Sequence, residues 1–256
     1  MKQLQKLFKI NLWTYLLFFL FCLCGFFKQG LIIFLIVFIH EMGHVCILKR
    51  YQYPIMKVEL YPFGGVTTVD KPINTPLRHE FFIAIFGVVF QLLLWGVFFL
   101  LEHFGYIYIQ TYEMFCYYNF LIMGFNLLPL IPLDGSVILH TILEKIFPYT
   151  KAYRFFCQFC MLFLGVFIFV HFKWNLNQYL MIVLLIYKTY MIIKNRHYTR
   201  HRFLLERYLY EYPYHEIKSH DMIDIDEMRK GTLHFFKKNE KYKHEREILS
   251  ELFQKK

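Results

Sequence analysis

The chain has 256 residues, 57% of them hydrophobic, with 31 Phe, 20 Tyr and a formal charge of +10. Apolar stretches near the ~20 residues needed to cross a bilayer recur too often for a soluble domain, and no ten-residue alternation suggests a transmembrane barrel. The expected class is an all-α polytopic membrane protein, whose excess of Lys and Arg reports topology; no motif supports nucleic-acid binding.

Lys2, Lys6 and Lys9 precede a first span at about Leu12–Phe27, which lacks a small-x-small cleavage site and reads as retained. Lys28-Gln29-Gly30 turns the chain into a second span, about Leu31–Leu48, closed by Lys49 and Arg50. The polar, turn-rich Tyr51–Leu77 carries two strand-like runs, Lys57–Tyr61 and Val66–Asp70, around Pro62-Phe63-Gly64-Gly65, expected as a small membrane-associated β-hairpin. Glu80–Leu101 is the third span. The fourth, about Tyr112–Leu128, runs into Asn126-Leu-Leu-Pro-Leu-Ile-Pro-Leu-Asp-Gly135, where two prolines and a glycine interrupt the helix. Irregular backbone at membrane depth requires protein or a water-filled cavity around it, so a polar cavity is expected at this broken fourth span. Helix resumes over Ser136–Ile146, and Tyr153–Phe172 and Leu176–Ile193 make the fifth and sixth spans.

Charge orients the set. Lys and Arg cluster before span one, between two and three, between four and five, and after six, while the alternate loops offer little beyond Lys28 and Lys173. Six spans with both termini cytoplasmic fit this pattern. The six cysteines lie in or beside apolar runs, which suits reduced thiols packed in protein or facing lipid.

Inside the second span stands His40-Glu41-Met42-Gly43-His44. Residues four apart share a helix face, so both imidazoles can converge on one cation with a carboxylate alongside. This is the H-E-x-x-H arrangement of zinc hydrolases, two ligands and a general base, Glu41. Ionisable residues at membrane depth are costly and point to function. Catalytic zinc commonly takes three protein ligands. By the orientation above, His44 lies ~8 Å of helix rise from the cytoplasmic end of its span. Asp134 lies near the cytoplasmic end of the fourth, which makes it the best remaining candidate. Its alternative reading is a helix N-cap or an Asp-Gly turn. The implied chemistry is metal-assisted amide hydrolysis with one Zn2+ per chain. A noncatalytic membrane scaffold and a metal transporter using the same histidines are the competing functions. The intact Glu41 disfavours the first, and the lack of an internal duplication disfavours the second.

His40–His44 together with Asn126-x-x-Pro-x-x-Pro132-x-Asp134-Gly135 resembles the site-two protease family of intramembrane metalloproteases. Within it the chain looks like the stage four sporulation proteases of endospore formers, which process an inactive sigma-factor precursor, pro-sigma-K. Leu60–Gly65, Tyr118-Asn119, Arg196-His-Tyr198 and Arg202-Phe-Leu-Leu-Glu-Arg-Tyr208 carry the narrower likeness, which extends over about Leu12 to Tyr208. The resemblance implies zinc on His40, His44 and Asp134, Glu41 as base, and Asn126 and Pro132 shaping the substrate channel. It also implies inhibitory membrane-protein partners and a place in the mother-cell membrane surrounding the forespore. One departure is Gly87-Val-Val-Phe-Gln91, where the family often has a Gly-Pro pair in the third span. A second is length. After a protease domain at residues 1–194, residues 195–256 form a cytoplasmic tail short for a complete nucleotide-binding CBS domain, expected as a shortened CBS-like region. Arg196–Tyr210 reads as a basic amphipathic helix, either on an anionic leaflet or as a solvated stalk.

Overall fold

A computed structural model of the chain describes residues 8–10, 12–61, 64–171, 176–212, 214–238 and 240–254. The chain is mainly helical and separates into two compact units, one of residues up to Lys71 with Phe82–Leu127, the other of Pro72–Phe81 with Leu128 onward.

The first unit begins with β1 (Phe8–Ile10) and α1 (Leu12–Leu23), followed by α2 (Phe27–Arg50). The turn between the helices falls at Cys24–Phe26, earlier than Lys28–Gly30. Gly25 takes φ +78°, and Phe26 and Gly25 N–H bond back to the Phe21 and Cys22 carbonyls at 2.8 and 3.2 Å. That is a Schellman ending, for which glycine is the preferred residue. The same motif closes α2. Gln52 sits at φ +60°, and Tyr53 and Gln52 N–H reach the Leu48 and Lys49 carbonyls, both at 3.0 Å. Lys49 and Arg50 fill the last turn of α2, where the helix dipole favours cations.

Strands β2 (Ile55–Tyr61) and β3 (Gly64–Val69) pair antiparallel as the expected hairpin, Leu60 opposite Gly65 and Tyr61 opposite Gly64; its Pro62-Phe63 tip lies outside the described residues. The hairpin gains a third strand. β1 pairs parallel to β2 with Phe8 opposite Val58, which the three residues before the first helix gave no periodicity to suggest. Helix α3 runs unbroken from Leu77 to His103, and α4 from Ile109 to Asn126. Ile32, Ile36 and Phe115 form the buried centre of this unit, with Phe98 stacked on Phe115.

In the second unit, helical hydrogen bonding resumes at α5 (Asp134–Ile146) and continues through α6 (Tyr149–His171) and α7 (Leu176–Lys194). The segment ahead of α5 includes a cis Ile131–Pro132 bond. In this segment Leu130 and Ile131 are buried in apolar clusters with Leu164, Leu185, Phe156 and Cys160, while Pro132 is exposed. Among the described residues three helices are long and apolar enough to cross a membrane, namely Phe27–Arg50, Leu77–His103 and Tyr149–Val170.

The C-terminal part is folded. After α8 (Arg196–Leu209) come β4 (Glu216–His220), a 3-10 turn at Ile225–Glu227, β5 (Thr232–Lys238), β6 (Lys241–His244) and α9 (Glu245–Gln254). β4 lies parallel to β5, and β6 antiparallel. Phe203 and Leu204 of α8 join Tyr149, Met228, Phe236, Ile248 and Leu249 in one core, while Tyr198, Leu205 and Leu209 of the same helix stay exposed. Glu206 accepts from the Ile73 and Asn74 backbone N–H at 2.7 and 3.2 Å, tying α8 to the residues ahead of α3. Buried Lys230 bridges Glu144 at 3.0 Å and Glu80 at 3.2 Å. Burial opposes its charge, but the two carboxylates outweigh that and raise its pKa.

His234 on β5 is fully buried, accepting from Arg229 N–H at 3.0 Å while its Nδ1 meets His220 Nε2 at 2.9 Å. Burial, and then the charge of Arg207, press its pKa down to about 3. The unfolded chain therefore takes up this proton first, so the stability contribution is complete above the ordinary histidine pKa of ~6.5 and drains away as pH falls toward 3. At pH 5 the loss should reach about 2 kcal/mol. Hydrogen exchange across Thr232–Lys238 should accelerate correspondingly between pH 7 and 5 after correction for intrinsic rates. An equal acceleration in His234→Gln would assign the effect to another group.

Candidate metal centre

The H-E-x-x-H turn lies wholly within α2, and His40, Glu41 and His44 are all buried. The two imidazoles meet edge to face with Nε2 atoms 3.1 Å apart. One ligand atom from each of the three side chains falls within 4.8 Å of the others. Their outward nitrogens are engaged. His44 Nδ1 donates to the Ile83 carbonyl at 2.6 Å, and His40 Nδ1 donates to Gln91 Oε1 at 3.0 Å. With both Nδ1 atoms protonated, the facing Nε2 atoms carry lone pairs, which repel unless a cation stands between them. Two nitrogens bound ~2.0–2.1 Å from one tetrahedral zinc stand ~3.3 Å apart, close to the observed spacing. The donor set, two imidazoles and a neighbouring carboxylate, suits zinc.

Glycines make room for this arrangement. A Cβ on Gly43 would lie 2.3 Å from the Phe86 carbonyl oxygen, so α2 and α3 approach at van der Waals contact only because this residue is small. A Cβ on Gly87 would lie 2.6 Å from His40 Cε1 and 2.8 Å from His44 Cε1. On β3, a Cβ at Gly65 would stand 2.3 Å from the Glu41 carboxylate carbon, and Thr67 donates its hydroxyl to Glu41 Oε2 at 3.0 Å. The hairpin thus supplies one wall beside the carboxylate and one hydrogen bond to it.

The structure brings His40, Glu41 and His44 together in the first unit. Asn126 is the partly buried last residue of α4 in the same unit. Pro132, exposed, and Asp134, partly buried, belong to the second unit. Asp134 is the first residue of α5, the N-cap position being Leu133, which excludes the N-cap reading of this aspartate. An acidic group there still complements the helix dipole. Gln91, Asn119, Thr67 and Gly87 are partners of the motif that sequence reasoning missed. Gln91 had a visible signal, as the one amide side chain in the otherwise apolar Phe81–Leu101.

Residues 29–108 match the model of peptidase family M50. The chain is 35% identical over 190 residues to stage IV sporulation protein FB of Bacillus subtilis, covering 73% of this chain and 66% of that protein. It is 34% identical over 125 residues to a zinc metalloprotease of Methanocaldococcus jannaschii, covering 48% of this chain and 36% of that one. The fold resembles the site-2 protease of the same archaeon, with a TM-score of 0.52 and 24% identity over 74% of this chain and 89% of the other. The aligned part therefore spans just under two thirds of the sporulation protein and about a third of the archaeal metalloprotease. With the histidine pair, its carboxylate neighbour and these likenesses in agreement, residues 29–108 of the chain form a peptidase family M50 domain.

Proposed function

We propose that the protein is an intramembrane zinc metalloendopeptidase that cleaves a membrane-associated precursor, and that its substrate is an inactive sigma factor of the pro-sigma-K kind. The observation that carries this reading is the pair of Nε2 atoms 3.1 Å apart with the buried Glu41 carboxylate beside them. His40, His44 and Asp134 would hold one zinc. Bound there, zinc would polarise the scissile carbonyl and lower the pKa of a water toward ~7. Glu41 accepts the proton of the attacking water and delivers it to the leaving amine nitrogen. Thr67 donates to Oε2 and so helps hold the carboxylate in place. An extended substrate segment presents its amides openly, whereas a helix hides them in i to i−4 bonds, so unwinding precedes cleavage.

In this reading residues 1–194 form a six-span protease domain with both termini cytoplasmic, the interruption from Leu127 to Leu133 lies within its fourth span, and Asn126 and Pro132 shape the channel. Residues 195–256 are a cytoplasmic module, shortened from a CBS-like region. The likeness to a Bacillus subtilis sporulation protein supports a role in spore formation; the mother-cell membrane around the forespore as location and inhibitory membrane proteins as partners belong to the same proposal.

Glu41→Gln tests the mechanism. Co-expressed with pro-sigma-K, the variant should lose precursor shortening by roughly 10²–10⁴-fold while retaining zinc. Cleavage at the normal rate in this variant would overturn the assignment of Glu41. Unchanged zinc content after Asp134→Ala would remove the third ligand from the set.

A further inference from the structure

Gln91 is fully buried in the middle of α3, and its hydrogen bonds run in one direction. Its backbone carbonyl accepts from Asn119 Nδ2 at 3.4 Å, and a carbonyl can only accept. That bond turns the Asn119 amide so that Oδ1 faces Gln91, whose Nε2 donates to it at 3.5 Å. The Gln91 amide is then turned in its own right, leaving Oε1 toward His40 Nδ1 at 3.0 Å. A carbonyl oxygen there requires the proton of neutral His40 to reside on Nδ1, which puts the lone pair on Nε2, facing His44. Amide orientations of this kind are set by the network, and this one is anchored at a group of fixed polarity. His44 reaches the same tautomer through the Ile83 backbone carbonyl, a partner that no side-chain substitution removes.

Resting on the zinc reading above, we infer that Gln91, held by Asn119, is a positioning residue that selects the metal-ligating tautomer of His40. It touches neither substrate nor reacting atoms and acts through the imidazole. The position falls at the end of Gly87–Gln91, the stretch in which the chain departs from the family's Gly-Pro pair.

The test uses purified full-length protein in detergent, with zinc affinity measured by chelator competition and the tautomer by 15N shifts of His40 in the metal-free protein. Gln91→Leu removes the acceptor and should weaken zinc binding 10–100-fold, the range typical of lost partners to a ligating histidine. The His40 signal should shift to mixed tautomers. Gln91→Glu keeps an acceptor oxygen and should restore affinity to within a few-fold. Asn119→Leu, which frees the Gln91 amide to flip, should fall between. Zinc binding by wild type with an unaffected Gln91→Leu variant would overturn the inference alone, as would equal losses in the Leu and Glu variants. A metal-free wild type with the proton on Nε2 would also overturn it. Wild-type protein that binds no zinc at saturating metal would instead overturn the underlying metal reading.

Discussion

Gly87→Ala should abolish zinc binding, lowering affinity by more than about 100-fold, and leave no measurable proteolysis. The added Cβ would stand 2.6 Å from His40 Cε1 and 2.8 Å from both His40 Nε2 and His44 Cε1, distances that real contacts do not sustain. Relief has no easy route. Imidazole rings are rigid, and each is pinned by its Nδ1 to a partner on the same helix as Gly87, namely Gln91 and the Ile83 carbonyl. Moving the rings away breaks those bonds, and moving the helices apart opens the approach of Gly43 to the Phe86 carbonyl. Gly96→Ala is the matched control. It lies on α3 with nothing within 4 Å of where an added Cβ would stand, so it should gain only the roughly 0.5–1 kcal/mol by which Ala exceeds Gly in a helix. Zinc affinity, chelator-competed in detergent, separates the two. A Gly87→Ala protein that binds zinc like wild type would show that the imidazoles do not sit where they are described.

Val88 keeps its backbone N–H, and α3 runs without interruption through Gly87 to Gln91. The small residue is what the two rings need; a proline after it is not required for the approach.

Much of the first unit was legible because the physics there is local. A four-residue spacing fixes which side chains share a helix face, and His40, Glu41 and His44 fall together on that ground alone. The hairpin could be read from β-branched runs flanking Pro62–Gly65, and the end of α4 at Asn126 from the prolines that follow. The rest depends on pairings distant in sequence. Nothing in the three residues of β1 announces a parallel partner at Val58, and nothing beside Gln91 announces His40, 51 positions away. The surroundings of Pro129–Gly135 were open to sequence reasoning only in part, for a related reason. Sequence can require that an irregular segment be enclosed, but it does not say whether water or side chains such as Leu164 and Leu185 will do it. The run Arg202–Tyr208 is instructive in the opposite sense. In the sequence it carries only a likeness. Its physical content is visible in the structure, where Glu206 accepts from the Ile73 and Asn74 backbone and Arg207 lies inside the C-terminal core.

Arg207→Ala should unfold the C-terminal layer, at a cost of about 3–5 kcal/mol. The side chain is 1% exposed and its guanidinium donates to four acceptor atoms. It donates to Glu245 Oε2 at 2.7 Å and Oε1 at 2.9 Å, to the Thr232 carbonyl at 2.6 Å and to the Arg229 carbonyl at 2.8 Å. Glu245, itself fully buried, accepts in addition from Tyr214 Oη at 2.9 Å and His234 N–H at 3.0 Å. Removing the cation leaves a desolvated carboxylate and two carbonyls without their donor, which costs far more than the loss of a surface pair. Replacing both charges with apolar side chains of similar size removes the desolvation penalty along with the attraction, and such exchanges are often neutral. Arg207→Met combined with Glu245→Leu should therefore recover part of the loss, although Tyr214 and His234 N–H still lose an acceptor. Protease protection of the region from β4 to α9 in the full-length protein reads the outcome, with wild type and double variant resistant and Arg207→Ala cut. If Arg207→Ala resists as well as wild type, the pair does not hold this layer together. If the double variant is cut as fast as the single one, the penalty comes from the hydrogen bonds to Thr232, Arg229 and Tyr214 and not from an uncompensated charge.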